Sequence, residues 1–161
     1  MAIPRRHEGL PGTYCVTSRT WESRALFVAE EVCKLFVASL LSYRDANAYS
    51  LHAFVLMPDH FHLLLTTARD KSLERVVQYV KGGSARVIGL SRQLRFPVWQ
   101  RGFSDHRVRD ASDFLIHLEY IAHNPLKRRL AADPREYPWC SSSGSWRMAP
   151  PPQRLKPPGC D

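Results

Sequence analysis

The chain has 161 residues, of which 44% are hydrophobic, 24% charged and 11% aromatic. These values suit one globular domain, exclude wholesale disorder and a collagen-like or coiled-coil fibre, and leave little room for two independently folding domains. Lys and Arg number 23 against 15 Asp and Glu, and the formal net charge of +8 favours a polyanionic partner such as nucleic acid. No apolar run approaches the roughly 18 to 20 residues that span a bilayer. Residues 1–10 carry charges with no apolar stretch behind them, so no secretory signal is visible and a cytoplasmic protein without a membrane partner is expected. Cys15, Cys33, Cys140 and Cys160 lack C-x-x-C spacing and are read as reduced thiols.

Residues 14–20, bounded by Pro11-Gly12 and rich in β-branched side chains, predict a first strand. Over 25–46 the residues Leu26, Val28, Val32, Leu35, Phe36, Ser39 and Leu40 recur at spacings near three and four, an apolar stripe on a long helix. Residues 49–57 and 60–67 are strand-like runs joined by Pro58-Asp59, which predicts an antiparallel hairpin. Ser72 is a candidate N-cap for a second helix with Leu73, Val76, Val77, Val80, Val87 and Ile88 on its apolar side, kinked at Gly82-Gly83. Residues 96–100 are assigned as the fourth strand, and 110–124 as a third helix stopped by Pro125.

Strand, helix, hairpin, helix, strand is the order of the ferredoxin-like split βαβ fold, an α+β architecture with an antiparallel sheet. Two helices cover one sheet face, which leaves the third helix to lie across the other. Residues 1–12 form an N-terminal arm and 13–143 the domain. From 144 a Pro-rich basic tail follows, expected to be extended or disordered.

His60 and His62 share one face of the second hairpin strand, with Phe61 on the other. Two adjacent imidazoles make half a metal site, although a bare H-x-H pair is more often surface or core histidine than ligand. On the third helix Phe114, Leu118 and Ile121 form the packed face with Leu115 and Ala122 flanking it, and His117, Tyr120 and Asn124 form a separate polar stripe. A tyrosine at a core margin is the plainer reading of Tyr120 alone. Cations flank both elements, among them Arg101, Arg107, Lys127 and Arg128. Trp99, Phe103 and His106 are interleaved with them, a mix suited to phosphate neutralisation and base stacking on single strands.

Met57-Pro58-Asp59-His60-Phe61-His62-Leu63-Leu64-Leu65, Val98-Trp99-Gln100-Arg101-Gly102-Phe103 and Tyr120-Ile121-Ala122-His123-Asn124-Pro125-Leu126-Lys127 occur in this order. Together they resemble the single-tyrosine transposases of the HUH nuclease superfamily, in particular the REP-associated branch. The resemblance implies a ferredoxin-like fold with a C-terminal helix carrying the tyrosine. It implies that His60 and His62, completed by Asn124, hold a divalent metal, Mg²⁺ or Mn²⁺, and that Tyr120 attacks a DNA phosphate to form a 5′-phosphotyrosine. Single-stranded or hairpin DNA is then the partner, contacted by Arg101, His106, Arg107, Lys127 and Arg128, and the chain acts as a monomer or homodimer. Two other readings stand beside it: a DNA-hairpin-binding protein that does not cut, and a metal-dependent hydrolase that activates water.

Overall fold

The structure, a computed structural model, describes residues 11–153 and 155. Among the described residues four strands, β1 (Thr13–Arg19), β2 (Tyr49–Met57), β3 (His60–Thr67) and β4 (Ser104–Arg107), and three α-helices, α1 (Glu30–Asp45), α2 (Leu73–Arg92) and α3 (Ala111–Lys127), follow in the order β1-α1-β2-β3-α2-β4-α3. The sheet order is β2-β3-β1-β4 with every pair antiparallel. This is the ferredoxin-like arrangement the element order predicted, with the hairpin bounds at the expected residues.

The pleat sorts side chains into two cores. Val16, Phe54, Phe61, Leu63 and Leu65 point to the face covered by α1 and α2, where Val32, Phe36, Leu40, Val76, Val80 and Ile88 meet them. An aromatic knot closes this core: Trp99 stacks on Phe27 at 5.3 Å between centroids and meets Phe61 edge-on at 5.0 Å. Its Nε1–H donates to Ser84 Oγ at 2.9 Å. On the other face Cys15, Ala53, Val55, Met57 and Leu64 lie under Phe114 and Ile121 of α3, so the third helix takes the face left open.

Several expectations need correction. Residues 96–100 do not form a strand: Val98 and Trp99 are buried in the aromatic core, and Trp99 contributes only a single bridge to Thr20. The fourth strand is the polar segment Ser104–Arg107, which the sheet selects through backbone pairing with β1. The first helix begins at Glu30, because residues 26–28 form a 3₁₀ turn that leaves Val28 exposed. The third helix runs through Pro125 to Lys127. Pro125 has no N–H for the Ile121 carbonyl, and the Cys140 thiol donates to that oxygen instead, at 3.7 Å. Leu115, placed beside the packed face by periodicity, is exposed.

The second helix is continuous across Gly82-Gly83. A Cβ at position 83 would lie 2.5 Å from the Tyr43 ring, so the glycine there serves close packing of α2 on α1. The start of the tail is seated along the edge strand β2. Ala149 N–H donates to Leu51 O at 2.8 Å, the Trp146 ring lies 5.2 Å from Phe54, and Leu56 N–H donates to Trp139 O. This covers an edge that would otherwise present unpaired backbone. Cys160, all of 156–161 and residues 1–10 of the N-terminal arm lie outside the described residues; Cys15, Cys33 and Cys140 are buried free thiols. No helix among the described residues is long and apolar enough to cross a membrane.

Candidate active site

Register builds the site. On β3, His62 pairs with Thr17 of β1 and Val55 of β2, and His60 pairs with Arg19 and Met57. Residues opposite one another share a face, so both histidines point to the side of the sheet that α3 crosses. Their rings lie 4.9 Å apart and nearly perpendicular. Each is anchored through Nδ1: that of His60 is 2.6 Å from Asp59 Oδ1, and that of His62 is 2.7 Å from Thr17 Oγ1. A ligand histidine held by a carboxylate or hydroxyl through one nitrogen presents the other in a fixed direction.

Tyr120 comes from α3. Its ring meets His62 edge-on at 5.3 Å between centroids, yet the residue is 41% exposed and lines an open cavity with His62. Lys127 Nζ sits 4.9 Å from the Tyr120 ring centroid. One turn beyond Tyr120 on the same stripe, Asn124 is buried at 4% exposure.

His62 Nε2 on β3 and Asn124 Oδ1 on α3 are both buried and have no hydrogen-bond partner. Orphaned buried acceptors are costly and call for an explanation. An imidazole nitrogen and an amide oxygen are both metal-ligating atoms, and they are donors of the set expected to hold a divalent cation. Burial pushes the His62 imidazole down to about 3, with His60, Arg128 and Arg19 adding to the effect. The ring is therefore neutral at physiological pH, as a ligand must be. On these grounds the donor chemistry of His62 and Asn124 is compatible with a divalent metal.

Of the expected DNA-contacting residues, Lys127 stands beside Tyr120, and Arg128 lines a cleft with His60 and Asp59. Arg101 lies in a neighbouring cleft with Thr17 and Arg19, on a loop that Lys81 pins by donating to Gln100 O and Gly102 O. His106 shares a cavity of about 340 Å³ with His62, His117 and Tyr120. Arg107 does not join them: it pairs with Tyr14 on the opposite sheet face, its guanidinium 6.0 Å over that ring.

The sequence reading missed Thr17, Asp59 and Asp113 as participants. Asp59 stood beside the histidines in the turn and was open to suspicion as an anchor. Thr17 is identified only by strand register. Asp113 binds His106 Nε2 at 2.8 Å and His117 Nε2 at 3.3 Å. Burial works to raise its carboxyl, but His106, the Arg109 N–H and His117 together hold it below the usual range.

Residues 13–124 match the family model described as "Transposase IS200 like". A REP-associated tyrosine transposase of Escherichia coli K12 is 24% identical over 140 residues, covering 86% of this chain and 81% of that protein. A Haemophilus influenzae protein named as a candidate REP-associated tyrosine transposase is 28% identical over 99 residues, which are 55% of this chain. The match spans only 56% of that relative's length. Among solved structures, a REP-associated tyrosine transposase bound to a REP hairpin superposes with a TM-score of 0.74 at 19% identity, covering 89% of this chain and 84% of the other. At that identity the likeness establishes the fold.

Proposed function

The chain belongs to the IS200-like transposase family, and from that membership we propose that it is a metal-dependent single-stranded DNA endonuclease and strand transferase acting on hairpin or repeat DNA. The observation that carries this reading is the meeting of Tyr120 with His62, whose buried Nε2 lacks a hydrogen-bond partner, as does Asn124 Oδ1 on the same helix as the tyrosine. The hairpin bound by the structural relative supports a DNA hairpin as partner here, as does the net charge of +8. A cytoplasmic monomer or homodimer belongs to the same reading.

Tyr120 presents its phenol oxygen to the DNA phosphate. The phenol gives up its proton to solvent as the Oη–P bond forms and the P–O3′ bond breaks, and the leaving oxygen takes a proton from solvent, leaving a 5′-phosphotyrosine and a 3′-hydroxyl. The phosphoester bond is kept, so a second 3′-hydroxyl can attack phosphorus, release Tyr120 and join strands without ATP. Asp59 and Thr17 hold the His60 and His62 rings in orientation. Lys127, Arg128 and Arg101 neutralise phosphates around the reacting one. Held by His60, His62 and Asn124, Mg²⁺ or Mn²⁺ would supply Lewis-acid polarisation of the phosphate.

Wild-type protein incubated with labelled hairpin DNA and Mg²⁺ or Mn²⁺ is expected to give a denaturant-resistant protein–DNA complex. Chelator and the double substitution His60→Ala/His62→Ala should each abolish it while DNA binding persists. Cleavage without an adduct would favour activated water as nucleophile. Binding without cleavage would mark a hairpin-binding protein.

A further inference from the structure

His106, Asp113 and His117 bring three metal-ligating atoms within 4.8 Å of one another, and the chemistry assigned to Tyr120 uses none of them as ligands. His106 lies on the edge strand β4, where it pairs with Cys15 and so faces the same side of the sheet as His62. Asp113 and His117 are one turn apart on α3. The two imidazole rings are 4.6 Å apart, and each directs Nε2 at a different oxygen of one carboxylate: His106 at Oδ2, 2.8 Å, and His117 at Oδ1, 3.3 Å.

The backbone around the carboxylate is fixed. Asp113 N–H donates to Asp110 Oδ1 at 2.8 Å, which caps α3, and Arg109 N–H donates to Asp113 Oδ2 at 3.1 Å. Ligands arriving from a strand and a capped helix start are held before any ion binds. We propose that His106, Asp113 and His117 form a second cation site, selective for a Zn²⁺-class transition metal. Two imidazole nitrogens and one carboxylate oxygen are a donor set that suits zinc, whereas Mg²⁺ favours oxygen donors. Tetrahedral zinc with bonds near 2.0–2.1 Å spaces its ligand atoms about 3.3 Å apart, and the three ligand atoms here lie within 4.8 Å of one another, so side-chain shifts bring them onto the ion.

Three protein ligands leave a fourth position. His106 and His117 line the cavity that Tyr120 and His62 also line, so this position opens toward the place where a DNA strand would lie. A water or a phosphate oxygen fills it. Zn²⁺ binding itself needs neither DNA nor Tyr120.

The test strips the full chain of metal with a chelator and titrates Zn²⁺ against a chromophoric zinc indicator in the absence of DNA. Co²⁺ serves as a second probe through its visible absorption at a low-coordinate nitrogen and oxygen site. Wild type and His60→Ala/His62→Ala should each bind a Zn²⁺ equivalent that His106→Ala/His117→Ala loses, and the Co²⁺ absorption should follow the same pattern. His117→Gln keeps the bulk and can still donate to Asp113, so it should fold; it too should lose the equivalent. His123→Ala, whose ring bonds only within its own helix at Glu119 O, should leave the count unchanged. Retention of the equivalent in His117→Gln, or its absence from His60→Ala/His62→Ala, would overturn the proposal and leave the triad a hydrogen-bonded strut between β4 and α3. No step of this experiment involves strand cleavage, so its failure and a failure of the covalent chemistry are separately visible.

Discussion

At the scale of single residues, Tyr120 differs from the other tyrosines that could compete for its role. Tyr14 and Tyr137 are buried, and the Tyr137 hydroxyl donates to Leu56 O at 2.7 Å. Tyr79 is stacked on Tyr43 at 5.1 Å on the far side of the sheet from the histidines. Tyr120→Phe removes one oxygen from a ring that is partly in water, so stability should change by less than about 1 kcal/mol. DNA affinity should be retained while the adduct disappears, measured by gel shift and denaturing electrophoresis on one preparation. A second residue-level prediction concerns Cys15 and Cys33, whose thiols burial pushes up to about 11 in both cases. Native protein at pH 8 should leave them unalkylated by iodoacetamide, and denaturant should expose them; mass spectrometry of the modified peptides reads this directly. Rapid alkylation of Cys33 in native protein would mean that the core under α1 and α2 opens readily.

At the scale of elements, the contacts between α1 and α2 separate two neighbouring glycines. Gly83 faces the Tyr43 ring, whereas a Cβ at Gly82 would meet nothing within 4 Å. Gly83→Ala should therefore destabilise by about 1–3 kcal/mol through overpacking. Gly82→Ala should stabilise by about 0.5–1 kcal/mol through helix propensity. Opposite shifts of the urea midpoint are expected, and shifts of the same sign would contradict the packing described for α2. The same elements explain what the sequence could and could not reveal. The hairpin was legible to the residue because Pro58-Asp59 punctuates two apolar runs. The histidine pair was legible because strand alternation puts both on one face. The fourth strand was not, since Ser104–Arg107 is short, polar and mostly exposed, and the more apolar Val98 and Trp99 go instead to the aromatic core. The end of α3 was misjudged because a side chain far along the chain, Cys140, occupies the carbonyl that Pro125 leaves free. Thr17 and Asp113 acquire their roles only through tertiary pairing, which no local pattern encodes.

At the scale of the whole molecule, the split βαβ sheet packs one core under α1 and α2 and a smaller one under α3, with the histidine pair on the α3 side. The histidines stand on the inner strand β3, the tyrosine on a helix laid across them, and Lys127 and Arg128 at that helix's end. Single-stranded or hairpin DNA should bind more tightly than a blunt duplex of equal length, and log affinity should fall linearly with log salt concentration. Lys127→Ala/Arg128→Ala should reduce that slope by about 1–2, read by fluorescence anisotropy; an unchanged slope would remove these side chains from the interface. The central claim is that one phenol oxygen, brought beside a histidine pair by the fold, becomes bonded to phosphorus. The most direct measurement is to trap the adduct on hairpin DNA, digest protein and nucleic acid, and locate the nucleotide-bearing residue by mass spectrometry. The account predicts a 5′-phosphonucleotide on Tyr120 alone. The same mass on Tyr14, Tyr79 or Tyr137, or cleaved DNA with no modified tyrosine, would contradict it.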